Sequence, residues 1–339
     1  MPTLKRITLP GQVYHVFTRS AEGRSLYRSE KDVVDLLARV ESAATATRVN
    51  VYGWVLTPQR LHFLLRNGRG PLNLFVSRIV SGYAIAMNRR HDMKGSLFAG
   101  RYRSVLVEED RYFMRVLGYI HTIPLREGLV DTVGELDCYS WSGHAALLNR
   151  RSFAWMDVNY VLEKFSGDKV QGRVLYSRLI SDLAAKGSEV IELDGGGLLR
   201  SASVEGLGIA CGHVGGHDPR TLGSARFTRT RLRRFEEMED WTERMRREKE
   251  KALDTVISHV VDACGISVGT LFSRSKRQAI CDARALVCYI GCFVIGLPYT
   301  SAAETLGISA SGAYMAARRG KRLAAEYPEL TEGMELPIS

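Results

Sequence analysis

The chain of 339 residues reads as an α+β protein: a ferredoxin-like unit with an antiparallel sheet, then a helical region, then a C-terminal helix-turn-helix. Three observations predict this. Short apolar runs of period two are interleaved with helical patterns over residues 1–150. Glycine-rich stretches interrupt a mostly helical span at residues 151–251. Within residues 252–339, two helical patterns meet at Gly307 with the spacing of a helix, a tight turn and a second helix. These three spans are the expected domains.

Each element has its own signal. "QVYHVFTR" (residues 12–19) alternates as a strand does. Ser29 and Asp32 stand at capping-box spacing before Val33, Val34, Leu36, Leu37 and Val40, which repeat at helical intervals. "VNVYGWVL" and "RLHFLLRN" make two strands around Thr57-Pro58-Gln59. Pro71 suits the first turn of a helix running to Asn88, with Leu72, Phe75, Val76, Ile79, Tyr83 and Met87 as its apolar stripe. "YRSVLVEE" is a fourth strand, and Glu108, Glu109 and Asp110 favour the start of the helix "RYFMRVLGYIHT", which Pro124 ends. Strand, helix, two strands, helix, strand and helix is the ferredoxin-like order with one helix added.

Trp155, Tyr160, Val161, Leu162 and Phe165 are the expected anchors of the helical middle, while "ELDGGGLLRS" and "GLGIACGHVGGHDPR" read as loops. Charges of both signs from Arg226 to Lys251 suit a solvated helix. "SRSKRQAICDARALVCYIGCFVIG" is a helix with a basic start. A short helix then ends at Gly307, and Ser309 is the N-cap of the last one. If that last helix enters a DNA major groove, its reading face carries Ser311, Tyr314, Arg318 and Arg319.

Composition narrows the function. With 45% hydrophobic and 25% charged residues the mixture is globular. Nothing near the start looks like a signal peptide and no apolar run reaches bilayer length, so a cytoplasmic location without membrane contact is expected. Six cysteines suit a reducing compartment. Cys281, Cys288 and Cys292 share a helix face and read as core packing, since no CxxC pair accompanies them. Cys211, His213 and His217 could be three zinc ligands, but a structural site wants four. The net charge of +10 favours a polyanionic partner. Arg89, Arg90, Arg101 and Arg103 cluster around "NRRHDMKGSLFAGRYR" as possible phosphate contacts, and Tyr102 as a base-stacking ring.

Two stretches hint at chemistry. In "RLHFLLR", Arg60, His62 and Leu64 face one side of a strand and Leu61, Phe63 and Leu65 the other. That puts an arginine and a histidine at a spacing some enzymes give to two metal-binding histidines. On the helix before Pro124, Tyr112, Arg115 and Tyr119 form one stripe opposite Phe113, Val116, Leu117 and Ile120, leaving Tyr119 partly exposed beside a cation. A tyrosine can attack a phosphate, but a phenol of ordinary pKa near ~10 is about one part in a thousand ionised at neutral pH and needs help from positive charge.

"PGQVYHVFTR", "LTPQRLHFLL", "GSLFAGRYRSVLVEEDRYF" and "YIHTIPLREGLV", in this order and spacing, resemble the REP-associated tyrosine transposases, relatives of single-strand DNA transposases with the HUH (His-hydrophobe-His) fold. The likeness is dense over residues 1–150, and "YSWSGHAALL" and "LEKFSGDKVQGRVLY" extend it into the middle. The final segment resembles the helix-turn-helix end of long members, which is similar to the DNA-binding domain of the bacterial replication initiator.

The resemblance implies a divalent metal held by two histidines of the HUH strand and an amide of the tyrosine helix. It also implies a tyrosine that forms a 5′-phosphotyrosine link and frees a 3′-hydroxyl. On this chain the nucleophile position falls on Tyr119 and the second histidine on His62. Where the family typically reads "MPNHVHLL", this chain has "TPQRLHFLL", putting Arg60 at the first histidine's place; where it reads "YIHLNP", this chain has "YIHTIP", putting Ile123 at the third ligand's. A guanidinium cannot coordinate a cation, and isoleucine has no donor atom. His121, about 200° around the helix from Tyr119, is a poor substitute.

The expectation is therefore a DNA-binding, transposase-like protein whose tyrosine-dependent cleavage is weakened or lost, recognising hairpin-forming repeats, with no cofactor or a weakly held Mg²⁺ or Mn²⁺. Two alternatives stand beside it. One is a working single-strand endonuclease forming a 5′-phosphotyrosine link through Tyr119 with Mg²⁺ or Mn²⁺, with Arg60 gripping the phosphate as a separate way to replace part of the metal's charge. The other is a transcriptional regulator reading duplex DNA through Ser309 to Arg322.

Overall fold

The alternating run near the N-terminus forms β1 (Val13–Arg19), the central partner of a mixed sheet. The sheet is completed by β2 (Asn50–Leu56), β3 (Arg60–Arg66), β4 (Arg103–Val107) and β5 (Thr221–Leu222), in the order β2-β3-β1-β4-β5. The first four neighbours pair antiparallel; β5 adds parallel to β4. This computed structural model describes residues 5–68, 70–185, 218 and 220–328, which fall into two compact units, Met1–Phe235 and Glu236–Ser339. Cys211, His213 and His217 lie outside the described residues, as does most of the glycine-rich sequence around them.

Register decides which side chains meet in the first unit. Phe17 pairs with His62, His15 with Leu64, and Val55 with His62, so His15, Phe17 and His62 share one face. Val16 and Phe63 face the other way. α1 (Glu30–Thr47) and α2 (Leu72–Arg90) pair with each other, and Phe75 of α2 meets Phe63 edge-on at 5.7 Å on that second face. α1 opens with the expected capping box: Asp32 accepts the Ser29 N–H at 2.9 Å. Fully buried, Asp32 is pushed up by desolvation, but hydrogen bonds from the Arg28 amide, Arg90, His91 and Ser29 outweigh this and hold the carboxyl well below its usual range.

α3 (Glu109–His121) crosses the face that carries His15 and His62. A glycine makes this approach possible: a Cβ at Gly53 would stand 2.6 Å from Leu117 Cδ1 and 3.2 Å from His121 Nε2. A one-turn helix, α4 (Ile123–Arg126), follows directly, with Pro124 inside its first turn, where its missing N–H costs nothing. Then come α5 (Val133–Cys138), α6 (His144–Leu147), α7 (Val158–Glu163) and α8 (Lys169–Ala185). The exposed edge of β2 is covered by backbone pairing: the Gly143 amide donates to the Trp54 carbonyl at 2.9 Å and the Asp157 amide to the Val51 carbonyl at 2.8 Å. Among the expected anchors, Val161 and Leu162 are fully buried, whereas Trp155, Tyr160 and Phe165 are half-buried.

The second unit is helical: most of α9 (Ala225–Ala263), with α10 (Val268–Leu271), α11 (Gln278–Tyr289), a π-helical turn at Ile290–Val294, α12 (Tyr299–Leu306) and α13 (Ala310–Glu326). Its core takes Leu253, Val256 and Val260 from α9, Leu286, Val287 and Cys288 from α11, Leu306 from α12, and Ala313 and Ala317 from α13. Cys288 packs there, while Cys281 and Cys292 stay half-buried. Gly307 closes α12 at φ +64°, and the Ser309 hydroxyl accepts the Gly312 N–H at 3.0 Å to open α13. Among the described residues no helix is long and apolar enough to cross a membrane.

Candidate functional site

Three elements bring His15, His62 and Tyr119 together. The His15 and His62 rings stack at 5.2 Å between centroids, with His15 Nε2 3.0 Å from His62 Nδ1. The Tyr119 ring stands edge-on to His15 at 5.9 Å and tilted to His62 at 6.3 Å. Both imidazoles are buried in an apolar setting, and desolvation is the main reason they stay neutral. His15 is pulled down to about 3, with Arg126 adding to the effect; His62 is pulled well below its usual value, with His15, Arg60 and Arg126 adding to it. One hydrogen bond links the two rings, leaving His15 Nδ1 and His62 Nε2 buried without a partner among the described residues.

Tyr119 is only 4% exposed, not partly exposed as its helical stripe suggests. The stripe argument assumes one solvated side, but the Tyr119 side of α3 faces His15 and His62 with Arg126 over the ring. α8 packs on another side of α3, where a Cβ at Gly118 would run into Leu183 Cδ1. The same layer accounts for His121. Its Nδ1 is 2.7 Å from the Tyr176 hydroxyl, which lies 2.5 Å from His144 Nδ1; His144 Nε2 is 2.9 Å from Asp137. With burial holding both imidazoles neutral, the network assigns the protons. His144 gives its Nε2–H to Asp137, so its Nδ1 accepts from Tyr176, which accepts in turn from His121 Nδ1–H. His121 thus ties α3 to α8 rather than joining His62.

Arginine supplies the charge at this place. Arg126 lies over the Tyr119 ring at 4.0 Å and donates to the Tyr119 carbonyl at 3.0 Å. Arg60 follows the strand alternation but ends on Glu127, at 3.2 Å. Ile123 is buried at 2% exposure. The metal donors brought to Tyr119 by the described residues are therefore two imidazoles already bonded to each other, beside two guanidiniums. Among the described residues no three His, Cys, Asp or Glu side chains cluster as a metal site requires. Two imidazoles are fewer protein donors than a divalent ion usually takes.

No protein-family model matches the chain, and no curated protein does. Among solved structures it is similar to one described as a REP associates tyrosine transposase bound to a REP hairpin, at 13% identity and a TM-score of 0.38, covering 46% of this chain and 98% of that one.

The other expected contacts are scattered. Arg89, Arg101 and Arg103 are exposed, whereas Arg90 is bound to Asp32 at 2.5 Å and to Asp35 at 3.4 Å, so its charge holds α1 to α2. Arg6 lies over the Tyr102 ring at 4.0 Å, and the Tyr102 hydroxyl is buried. Arg115 reaches back over Tyr112 at 5.9 Å. On α13, Ser311, Tyr314 and Arg318 share an exposed stripe with Met315, while Arg319 turns to Asp282. Tyr314 meets Tyr299 edge-on at 5.4 Å. Sequence reasoning missed His15, Arg126 and Glu127. Of these only His15 had a readable signal, as a histidine set inside an alternating apolar run.

Proposed function

We propose that this chain is a DNA-binding, transposase-like protein that recognises hairpin-forming single strands, and that its tyrosine-dependent cleavage is weakened because the metal site is degraded. The observation that carries the reading is the convergence of Tyr119 and His62, with ring centroids 6.3 Å apart, on one face of the sheet. Motif resemblance singles out those same two positions, and they lie 57 residues apart in the chain, as 119 − 62 gives. The order β2-β3-β1-β4, antiparallel throughout, with α1 and α2 on one face and the tyrosine helix on the other, supports a ferredoxin-like HUH scaffold. Arg60 and Ile123 at two ligand positions support the loss of metal. Basic charge supports the DNA partner.

The test is an adduct assay with a single-stranded hairpin oligonucleotide and Mn²⁺, read on a denaturing gel beside a binding assay. Wild type and Tyr119→Phe should retain the hairpin equally, and wild type should form little adduct. An Arg60→His/Ile123→Asn double variant should form more. Removing one electrostatic stabiliser typically costs about 10²–10³ in rate, so the gain should be at least that large. Efficient Mn²⁺-dependent adduct in wild type would establish the working endonuclease instead. An adduct equally strong in EDTA would make Arg60 a surrogate cation.

A second reading rests on the exposed stripe of Ser311, Tyr314 and Arg318 on α13, which suits a regulator of duplex DNA working through a helix-turn-helix. Arg318→Glu should then abolish duplex binding and leave hairpin binding intact.

A further inference from the structure

Beside the tyrosine site, a cleft of about 490 Å³ opens between the turn after β1 and the start of β3. Arg19, Arg24 and Arg60 line it, with Gln59, Ser20 and one carboxylate, Glu22. Arg19 and Arg60 are cross-strand partners, so their side chains leave the sheet at the same place. The Arg19 guanidinium is exposed and has no partner among the described residues. Arg24 binds the Lys94 carbonyl through Nη2, while its Nη1 is buried with no acceptor among the described residues. Three guanidiniums therefore face one lining carboxylate; Arg60 is also held by Glu127 at 3.2 Å, so the donors left over are chiefly those of Arg19 and Arg24.

The walls are fixed before any ligand arrives. The Ser20 amide donates to the Gln59 carbonyl at 2.8 Å, the Ala21 amide to Leu97 at 2.8 Å, and the Leu26 amide to Pro58 at 2.6 Å. A preformed polar cleft within the usual size range of about 300–1,000 Å³ is what a small anionic group needs. Forked donors left unsatisfied favour phosphate over a simple halide. Arg60 is the shared wall: it lines the cleft, and its charge acts on His62 beside Tyr119.

We infer that this cleft is a phosphate subsite, formed by Arg19, Arg24 and Arg60, that grips a backbone phosphate of the single-stranded segment flanking a bound hairpin. This rests on the DNA-binding reading above and names where the strand is held. It makes Arg19 and Arg24 binding residues that no motif singled out.

The experiment compares wild type, Arg19→Gln and Arg19→Gln/Arg24→Gln in fluorescence anisotropy. The probes are a labelled hairpin with a four-nucleotide single-stranded flank and the same hairpin blunt-ended. Calorimetric titration of inorganic phosphate is run alongside. Arg19→Gln alone carries the test if the double variant is misfolded by circular dichroism, because the Arg19 side chain holds nothing in place. The expected result is about tenfold weaker binding of the flanked hairpin, no change for the blunt one, and a salt slope lower by about 0.7 for each phosphate no longer neutralised. Equal losses on both hairpins, or no loss on either, would overturn the subsite. Phosphate bound by wild type and not by the variants, with neither hairpin bound by any protein, would keep the subsite and sink the DNA-binding reading.

Discussion

Acidification should loosen the first unit through its buried imidazoles, and His15 allows the effect to be worked through. Its folded pKa is lowered from 6.5 to about 3. Between those values the unfolded chain binds a proton that the folded one refuses, so the stabilisation is complete above 6.5 and shrinks as pH falls. Each unit of pH below 6.5 costs about 1.4 kcal/mol, so at pH 5 His15 alone removes about 2 kcal/mol. His62, His121 and His144 are shifted the same way and add to the slope. Asp32 does not confuse the window: its carboxyl is depressed, so its contribution is lost only below the ordinary carboxylate range. The assay is urea unfolding followed by tryptophan fluorescence at pH 7, 6 and 5, for wild type and His15→Phe. Trp54, fully buried in β2, reports on the sheet. Removing His15 lifts its electrostatic pressure on His62 as well, so the variant should lose at least about 2 kcal/mol less than wild type between pH 7 and 5. Parallel profiles, or a wild type whose stability is flat across that interval, would refute the neutral-pair assignment.

Two further outcomes follow from packing and from the hydrogen-bond network. Tyr176→Phe leaves His144 Nδ1 without its donor and His121 Nδ1–H without its acceptor, in a fully buried site; chemical denaturation should show a loss of about 1–3 kcal/mol. Gly320→Ala drives a Cβ into the Ala285 carbonyl oxygen, where backbone must move; differential scanning calorimetry should show the second unit destabilised by about 1–3 kcal/mol or more, with the transition of the first unit unchanged.

Elements of local origin were legible in the sequence. The Ser29/Asp32 pair, the alternation of residues 12–19, the Gly307 stop and the Ser309 cap are each written within a few residues, and each formed. What local pattern could not carry was the pairing. His15 becomes part of a site only because β1 lies against β3 with Phe17 opposite His62, a relation of register that periodicity does not encode. Tyr119 looks half-exposed on a helical wheel and is buried because its ring faces His15 and His62 on the sheet while Arg126, from the helix that follows, lies over it. The two-residue β5 and the π-helical turn at Ile290–Val294 are too short for any periodic signal. Arg90 shows the limit for surface charge: beside Arg89 in sequence it looks like another phosphate contact, yet a fully buried carboxylate claims it.

Charge sign also bears on which ligand the pocket favours. Neutral imidazoles contribute no negative potential, and Arg126 stays against Tyr119 at 4.0 Å. For a dication about 8 Å from one guanidinium, at an effective dielectric of about 20, the repulsion is about 4 kcal/mol, while a phosphodiester at the same place gains about 2 kcal/mol. The difference of about 6 kcal/mol exceeds what one hydrogen bond can reverse. On the proposed reading a metal would therefore need more ligands and less positive charge here, whereas an anionic backbone meets no such repulsion. The double substitution Arg60→His/Ile123→Asn changes both halves of that balance together, removing one cation and adding an imidazole and an amide as ligands. Ile123→Asn alone leaves the guanidinium in place and Arg60→His alone leaves the ligand set one short, so the double variant should restore far more activity than the sum of the two single ones.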